Sequence, residues 1–318
     1  DPLLVDTVTA PDADFAIEAD PRNTTRNKLA VLQRHGFRRI VVGVQDFDAR
    51  VLEIVNRVQS EDEVRRTITD ARELGFSSVG ADFICGLPLQ TLDSLRASLG
   101  TLLRMRPDRV NFLPYVHVPW IKPSQRQYTE ADLPDVALRG ELYLLGRELL
   151  AGAGYMEIGF DQFALPSDPL ATALTTGRLT RSFMGFASTP VDALIGLGVS
   201  AIGDTPTHYA QNEKNLQRYE TRVMAGELPL QRGHALGVDD RVIRGFISDL
   251  LGNRATPLSE DLQQASWWPA VKTELEKLAR DELVEFTARG VRVTPLGRVF
   301  LARIGMALDR RLRDSLAA

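Results

Sequence analysis

Apolar and polar residues alternate along the first third of the chain in two textures. Short runs rich in β-branched residues occur at Ile40-Val41-Val42-Gly43-Val44, at Val79-Gly80-Ala81-Asp82-Phe83-Ile84-Cys85 and at Val110-Asn111-Phe112-Leu113-Pro114-Tyr115-Val116. Between them, apolar residues recur at helical spacing: Val64, Ile68 and Ala71, then Leu95, Leu99, Leu102 and Leu103. Runs of this length between amphipathic helices predict parallel strands in βαβ units. A shorter strand, Phe15-Ala16-Ile17-Glu18-Ala19, ends at Asp20-Pro21-Arg22 and leads to a helix carrying Leu29 and Leu32. Asn23 or Thr24 is expected to cap that helix and Gly36 to end it. Ser60 with Glu63, and Thr91 with Ser94, are expected to open the next two long helices. Each strand closes on polar or glycine-containing residues: Asp20, Gln45-Asp46, Gly86 and His117. Ligands gather at the carboxyl ends of parallel strands, so residues there are candidates for binding.

After residue 120 the period changes. A helix is expected over 129–153, with Leu138, Leu142, Leu145 and Leu149 on one stripe. Residues 155–215 are irregular, rich in glycine and aromatics, and include Phe183-Met184-Gly185-Phe186. Such a segment is more suited to forming a site than to linking domains. From about 228, helices are expected at 239–251 and 269–281, a hairpin at 284–293, and a last helix from Pro295 to Arg313. Helices followed by a small hairpin suggest winged-helix character. In the helix that would read DNA, Lys272, Lys277 and Arg280 are offset by Glu274, Glu276 and Asp281, which argues against nucleic acid as a partner.

Composition narrows the choice. The chain has 318 residues and a net charge of −4, which gives no bulk attraction for nucleic acid or bilayer. No apolar run approaches membrane-spanning length and no signal-peptide pattern is present, so a cytoplasmic protein is expected. Cys85 is the one cysteine, which excludes an internal disulfide and a multi-cysteine metal site made by this chain alone. The chain begins at Asp1 and residues 1–11 read as a loop or helix remnant; the sequence is expected to be a piece of a longer protein.

The order of motifs goes further. Glu18-Ala19-Asp20-Pro21-Arg22, Gly43-Val44-Gln45-Asp46-Phe47, Val55-Asn56-Arg57, Asp82-Phe83-Ile84-Cys85-Gly86-Leu87-Pro88 and Tyr115-Val116-His117-Val118-Pro119 follow one another. Asp161-Gln162-Phe163-Ala164 and Gly196-Leu197-Gly198-Val199-Ser200-Ala201-Ile202 come after them. This succession resembles the oxygen-independent coproporphyrinogen III oxidases, which are radical S-adenosylmethionine (SAM) enzymes. The resemblance covers essentially the whole chain. It implies an α/β fold: a partial (β/α) radical SAM barrel, later strands only, over 1–125; a helix and site-forming loops over 126–227; and a mostly helical C-terminal domain with winged-helix character over 228–318. It implies oxidative decarboxylation of coproporphyrinogen III to protoporphyrinogen IX in haem synthesis, by a monomer whose electron donor and acceptor the sequence does not name. It also implies SAM, up to two molecules, and a 4Fe–4S cluster whose CxxxCxC ligands this sequence lacks and which are expected in a missing N-terminal part. The alternatives are a related radical SAM protein that binds or delivers haem and, furthest off, a DNA-binding regulator.

Glu18, Gln45 and Asp82 stand at or near strand ends, where carboxylates and an amide suit ribose hydroxyls and an α-amino group. Arg57 suits a methionyl carboxylate through a charge-assisted bond. The family pattern places SAM contacts at these four positions and further ones at Val116 and Ile202. For Glu18 and Asp82 the competing reading is a structural salt bridge; for His117, a hydrogen-bonded structural histidine beside Tyr115. Asp161 and Gln162 are weaker candidates for holding pyrrole N–H groups. Cys85 is most simply a small buried residue, and Trp267-Trp268 a packing pair.

Overall fold

The computed structural model describes residue 10 and residues 13–182, 185–189 and 191–312. The expectation for residues 1–11 lies, residue 10 apart, outside the described residues, as do Phe183, Met184 and the end of the last helix at Arg313. The chain divides into two compact units, 1–168 and 169–318.

The first unit runs β1 (Phe15–Ala19), α1 (Arg26–Arg34), β2 (Phe37–Gln45), α2 (Ala49–Ile54), α3 (Glu61–Glu73), β3 (Ser78–Cys85), α4 (Leu92–Met105), β4 (Arg109–Pro114), α5 (Val136–Gly152), β5 (Met156–Gly159) and β6 (Gln162–Ala164). The sheet order is β1-β2-β3-β4-β6-β5. The first four strands are parallel, as expected, and β6 and β5 join antiparallel. These last two strands lie in the stretch read as irregular. They are too short to show a period of two, and the turn between them puts Phe160 and Asp161 at φ 44° and 66°. The α1 cap is Thr25, which accepts from the Lys28 amide, not Asn23 or Thr24. The predicted capping box of Ser60 with Glu63 forms, and Thr91 and Ser94, expected to open the next long helix, form a box of their own. Helix α5 starts at Val136, not 129, because Pro134 precedes the Asp135 cap and short 3-10 turns fill 123–132.

Alternation gives this sheet two unlike faces. On one, Ile40, Val42, Val44, Val79, Ala81, Phe83, Cys85, Val110, Phe112 and Phe163 are buried with the apolar faces of the helices. Phe83 stacks on Phe112 and Phe112 on Tyr143 of α5, with ring centroids 6.1 and 5.8 Å apart. Each such ring or aliphatic group stabilises the fold by roughly 1.5–3 kcal/mol through burial. Gly146 of α5 lets the helix close on Phe112: a Cβ there would stand 2.0 Å from the ring. The other face carries Glu18, Gly43, Asp82, Asn111 and Gln162, and these are less buried or exposed.

The second unit contains α6 (Pro169–Thr175), the hairpin β7 (Thr180–Ser182) and β8 (Gly185–Ala187), then β9 (Ile202–Asp204), β10 (His208–Asn212), α7 (Leu216–Met224) and β11 (Leu230–Ala235). Strands β11-β10-β9 form one antiparallel sheet, so pairing continues across residue 228, where the composition changes. Then follow α8 (Val238–Gly252), β12 (Ala255–Thr256), α9 (Glu260–Gln264), α10 (Trp268–Arg280), β13 (Val284–Thr287), β14 (Gly290–Val293) and α11 (Leu301–Leu308). The predicted hairpin β13–β14 forms and gains β12 as a third strand. Trp267 and Trp268 are buried, Trp268 edge-on to Phe246 at 6.2 Å. No helix among the described residues is long and apolar enough to cross a membrane.

Candidate functional site

The polar face of the first sheet gathers a site at its carboxyl end. The register sets Gly43 beside Asp82, Asp82 beside Asn111, and Asn111 beside Gln162, in one row across four strands. Asn111 donates through Nδ2 to Asp82 Oδ1 at 2.7 Å. Burial pushes the Asp82 carboxyl above the usual range, against that hydrogen bond; the nearby Glu18 charge pushes it further, and Arg57 pulls it back. Glu18 itself is exposed on β1.

Arg57 reaches the same place from the end of α2. Its Nη2 donates to the Gly43 carbonyl at 2.5 Å and its Nε to Gln59 Oε1 at 2.9 Å. Asp20 lies 3.7 Å from the guanidinium, and burial lowers its basicity. Asp20 is also clamped by Arg22, which holds its carboxyl down at about 2. Beside Arg57 sits Gln45, at a bulge in β2 and at φ 67°, a left-handed conformation that a side chain rarely adopts. A Cβ on Gly43 would lie 3.3 Å from Arg57 Nη2 and 3.4 Å from Gln45 Nε2. An added Cβ would push both side-chain ends back by a few tenths of an ångström, so the glycine leaves room for guanidinium and amide over the strand.

Asp46 fixes this turn from beneath. It is fully buried, and its carboxylate accepts from the Phe47 and Asp48 amides at 2.6 and 2.9 Å, from Ser98 Oγ at 2.5 Å and from Gln90 Nε2 at 2.6 Å. Gln90 Oε1 accepts in turn from the Gly86 amide at 2.6 Å, so the ends of β2 and β3 are tied together. Burial outweighs these four bonds and pushes the Asp46 carboxyl up.

The sequence-based candidates do not all meet. Glu18, Gln45, Arg57 and Asp82 are brought together. Val116 stands exposed on the loop after β4, its carbonyl accepting from Gln125 Nε2 at 3.1 Å. Ile202 opens β9 in the second unit. Asp161 and Gln162 separate: Asp161 accepts the Tyr143 hydroxyl on the helix-covered side, while Gln162 joins the Asp82 row with its buried Oε1 free of any hydrogen-bond partner. His117 joins Tyr115 and Tyr128 in a hydrogen-bonded cluster, Tyr115 Oη lying 3.1 Å from His117 Nδ1 and 2.6 Å from Tyr128 Oη. Cys85 is on the helix-covered face, where burial pushes its thiol up to about 12.

Sequence reasoning missed Gly43 as a cradle, Asn111 as the partner of Asp82, and Asp46 as the brace. Asn111 had a signal: it is the one polar residue inside its apolar run, as Asp82 is in its own.

The site holds the Arg57 guanidinium, the carboxylates of Glu18 and Asp82, and the amides of Gln45, Asn111 and Gln162 around an open backbone. An anionic group suits Arg57; hydroxyl or ammonium donors suit Asp82, Glu18 and Gln162. Among the described residues, no cluster of three or more histidine, cysteine or acidic side chains could hold a metal ion.

The chain is similar to known proteins. The profile of the Radical SAM superfamily matches residues 3–102. The chain is 37% identical over 309 residues to the oxygen-independent coproporphyrinogen III oxidase of Pseudomonas aeruginosa, covering 94% of this chain and 66% of that protein. It is 38% identical to the Escherichia coli protein of the same name, covering 95% and 67%. It therefore spans about two thirds of the length of these relatives. The solved structure of coproporphyrinogen III oxidase from Escherichia coli, described as a radical SAM enzyme, superposes with a TM-score of 0.90 at 37% identity, over 95% of this chain and 70% of that one.

Proposed function

Because the chain belongs to the oxygen-independent coproporphyrinogen III oxidase family, we propose that it carries the SAM-holding part of an enzyme that converts coproporphyrinogen III to protoporphyrinogen IX in haem synthesis. The observation that carries the reading is the group of Arg57, Gln45 and Asp82 around Gly43, whose donors and acceptors match a SAM molecule. Arg57 would bind the methionyl carboxylate. Asp82 and Glu18 would take the ribose hydroxyls and the ammonium group, which their clustered negative charge favours. Gln45 would orient the sugar, and Val116 would add an apolar contact to adenine. A second SAM molecule is compatible with this residue set but adds no residue to it.

When bound and reduced by one electron, SAM would supply the radical chemistry that decarboxylates a propionate side chain. The chain's own residues fix where that happens. Asp46 and Gln90 hold the strand ends at fixed spacing, so the polar groups are oriented before any ligand arrives. Gln162 Oε1, buried and unused, would accept a substrate N–H. The 4Fe–4S cluster implied by the family does not fit the residues here: a single buried thiol on the wrong face of β3 offers no ligand set.

The parallel strands β1 to β4, with a polar inner row and helices outside, support reading the first unit as part of a barrel wall. The order α8, β12, α9, α10, β13, β14 supports a winged helix in the second. A cytoplasmic monomer, without nucleic acid or membrane as partner, completes the proposal.

The test is calorimetric titration of SAM into the anaerobic holoenzyme. Arg57→Gln should weaken SAM about tenfold, the loss of one charge-assisted bond, with formation of protoporphyrinogen IX falling in parallel. Unchanged affinity would remove Arg57 from the site.

A further inference from the structure

Beyond Pro114, where β4 ends, the chain is tied down at one histidine from several sides. The Tyr115 amide donates to the Cys85 carbonyl at 2.7 Å, so residues 115–117 leave the sheet beside the end of β3, at the carboxyl end of the parallel strands. Buried Gln125 then grips the backbone on both sides of His117. Its Oε1 accepts from the Val118 amide at 2.6 Å and its Nε2 donates to the Val116 carbonyl at 3.1 Å. The His117 ring is held as well: Nδ1 lies 3.1 Å from Tyr115 Oη, which lies 2.6 Å from Tyr128 Oη, and the His117 and Tyr128 rings are 5.6 Å apart.

Counting hydrogens gives this chain of bonds a direction. Tyr128 is buried and, among the described residues, its hydroxyl meets Tyr115 Oη alone. A buried hydroxyl hydrogen without an acceptor is costly, so Tyr128 donates to Tyr115. Tyr115 has one hydrogen of its own and gives it to His117 Nδ1. Nδ1 is therefore an acceptor, and the hydrogen of the neutral imidazole sits on Nε2. The opposite direction would strand the Tyr128 hydrogen. The ring is half-buried, and Nε2 pairs with no described residue. Three side chains thus fix the position and tautomer of one imidazole and leave one N–H of it unclaimed, as a binding donor prepared in advance would be.

We propose that His117 Nε2–H is a substrate-binding donor, with Tyr115 and Tyr128 as its positioning residues, and that it takes a carboxylate of the porphyrinogen. The choice of partner rests on the function proposed above. The pyrrole nitrogens of a porphyrinogen are donors, so the acceptors it offers a protein N–H are its carboxylates. His117 would then complement Gln162, whose free Oε1 suits a pyrrole N–H. The same loop leaves Val116 and Trp120 exposed, at 64% and 70%, as apolar surface that a macrocycle can cover.

The experiment uses the anaerobic holoenzyme and coproporphyrin III, the air-stable porphyrin with the same side chains, titrated by fluorescence beside its tetramethyl ester. His117→Ala should weaken the free acid about tenfold, as loss of a hydrogen bond to a charged group does, and leave the ester and SAM affinities nearly unchanged. His117→Gln, whose amide still carries a donor, should recover most of the loss. His117→Phe, which keeps a ring against Tyr128 without the donor, stands in should His117→Ala lower the melting temperature. Tyr128→Phe releases the tautomer and should weaken the acid severalfold, but add nothing once His117 is alanine; a merely structural tyrosine would add its effect in both backgrounds. Unchanged acid affinity in both donor-free variants would overturn the site, as would an equal loss for the ester or a loss of SAM instead. A Tyr128→Phe effect that persists without His117 would overturn the positioning chain. Failure of the wild-type holoenzyme to convert coproporphyrinogen III would instead overturn the functional reading, while the acid-against-ester comparison still decides His117.

Discussion

At the scale of single residues, the site is built from groups that the fold holds at some cost. Asp82 is pushed above the usual carboxylate range by burial and by Glu18. A carboxyl whose folded pKa lies above its unfolded value destabilises the fold wherever it is ionised, and that cost disappears as pH falls below both values. Asp82→Asn keeps the acceptor that Asn111 uses and removes the charge. At neutral pH the variant should melt higher than wild type, by about 2–4 °C, what ~1 kcal/mol gives in a domain of this size. The gap should close as pH falls through the raised Asp82 pKa, while SAM binding is lost at neutral pH. A melting series against pH, with calorimetry at neutral pH, checks both halves; a variant less stable than wild type at neutral pH would contradict the sign. Asp82 was legible in the sequence because a carboxylate inside an apolar run stands out. Gly43 and Asp46 were not: what a glycine makes room for, and which donors surround a carboxylate, depend on chain segments far away in sequence.

At the scale of elements, β1 to β4 and the caps of α3 and α4 could be read from local pattern, since alternation and capping boxes are local physics. The failures came where three-dimensional context replaces pattern. Strands β5 and β6 are held in the sheet by pairing with β4, not by any periodicity of their own. Helix α5 shows the same dependence. Gly146 lowers its helix propensity, yet the position admits nothing larger because Phe112 fills the space. Gly146→Ala should destabilise the first unit by about 1–3 kcal/mol through overpacking, although alanine is the better helix former by ~1 kcal/mol. Urea denaturation measures it, and the cost should shrink in a Phe112→Leu background, where the ring that would clash is gone. A stabilised single variant would show that α5 can move away freely.

At the scale of the whole molecule, charge separates this protein from DNA-binding proteins that use winged helices. The net charge is −4, and on α10 Lys277 lies 2.8 Å from Glu274 and Lys272 lies 3.9 Å from Glu276. Duplex DNA should therefore give no anisotropy change with the full chain at low salt; an association whose salt slope implied several phosphate contacts would refute this. The two-faced sheet of the first unit has a consequence for how such a chain can change over time. Its packing residues and its polar residues alternate one by one along β2, β3 and β4, so the strands behave like a message read in a fixed frame. Inserting or deleting one residue within β3 would exchange Asp82 and Phe83 between the faces, sending a carboxylate into the packed layer and a ring into the site. Inside these strands such a chain tolerates a change of side chain but not a change of length.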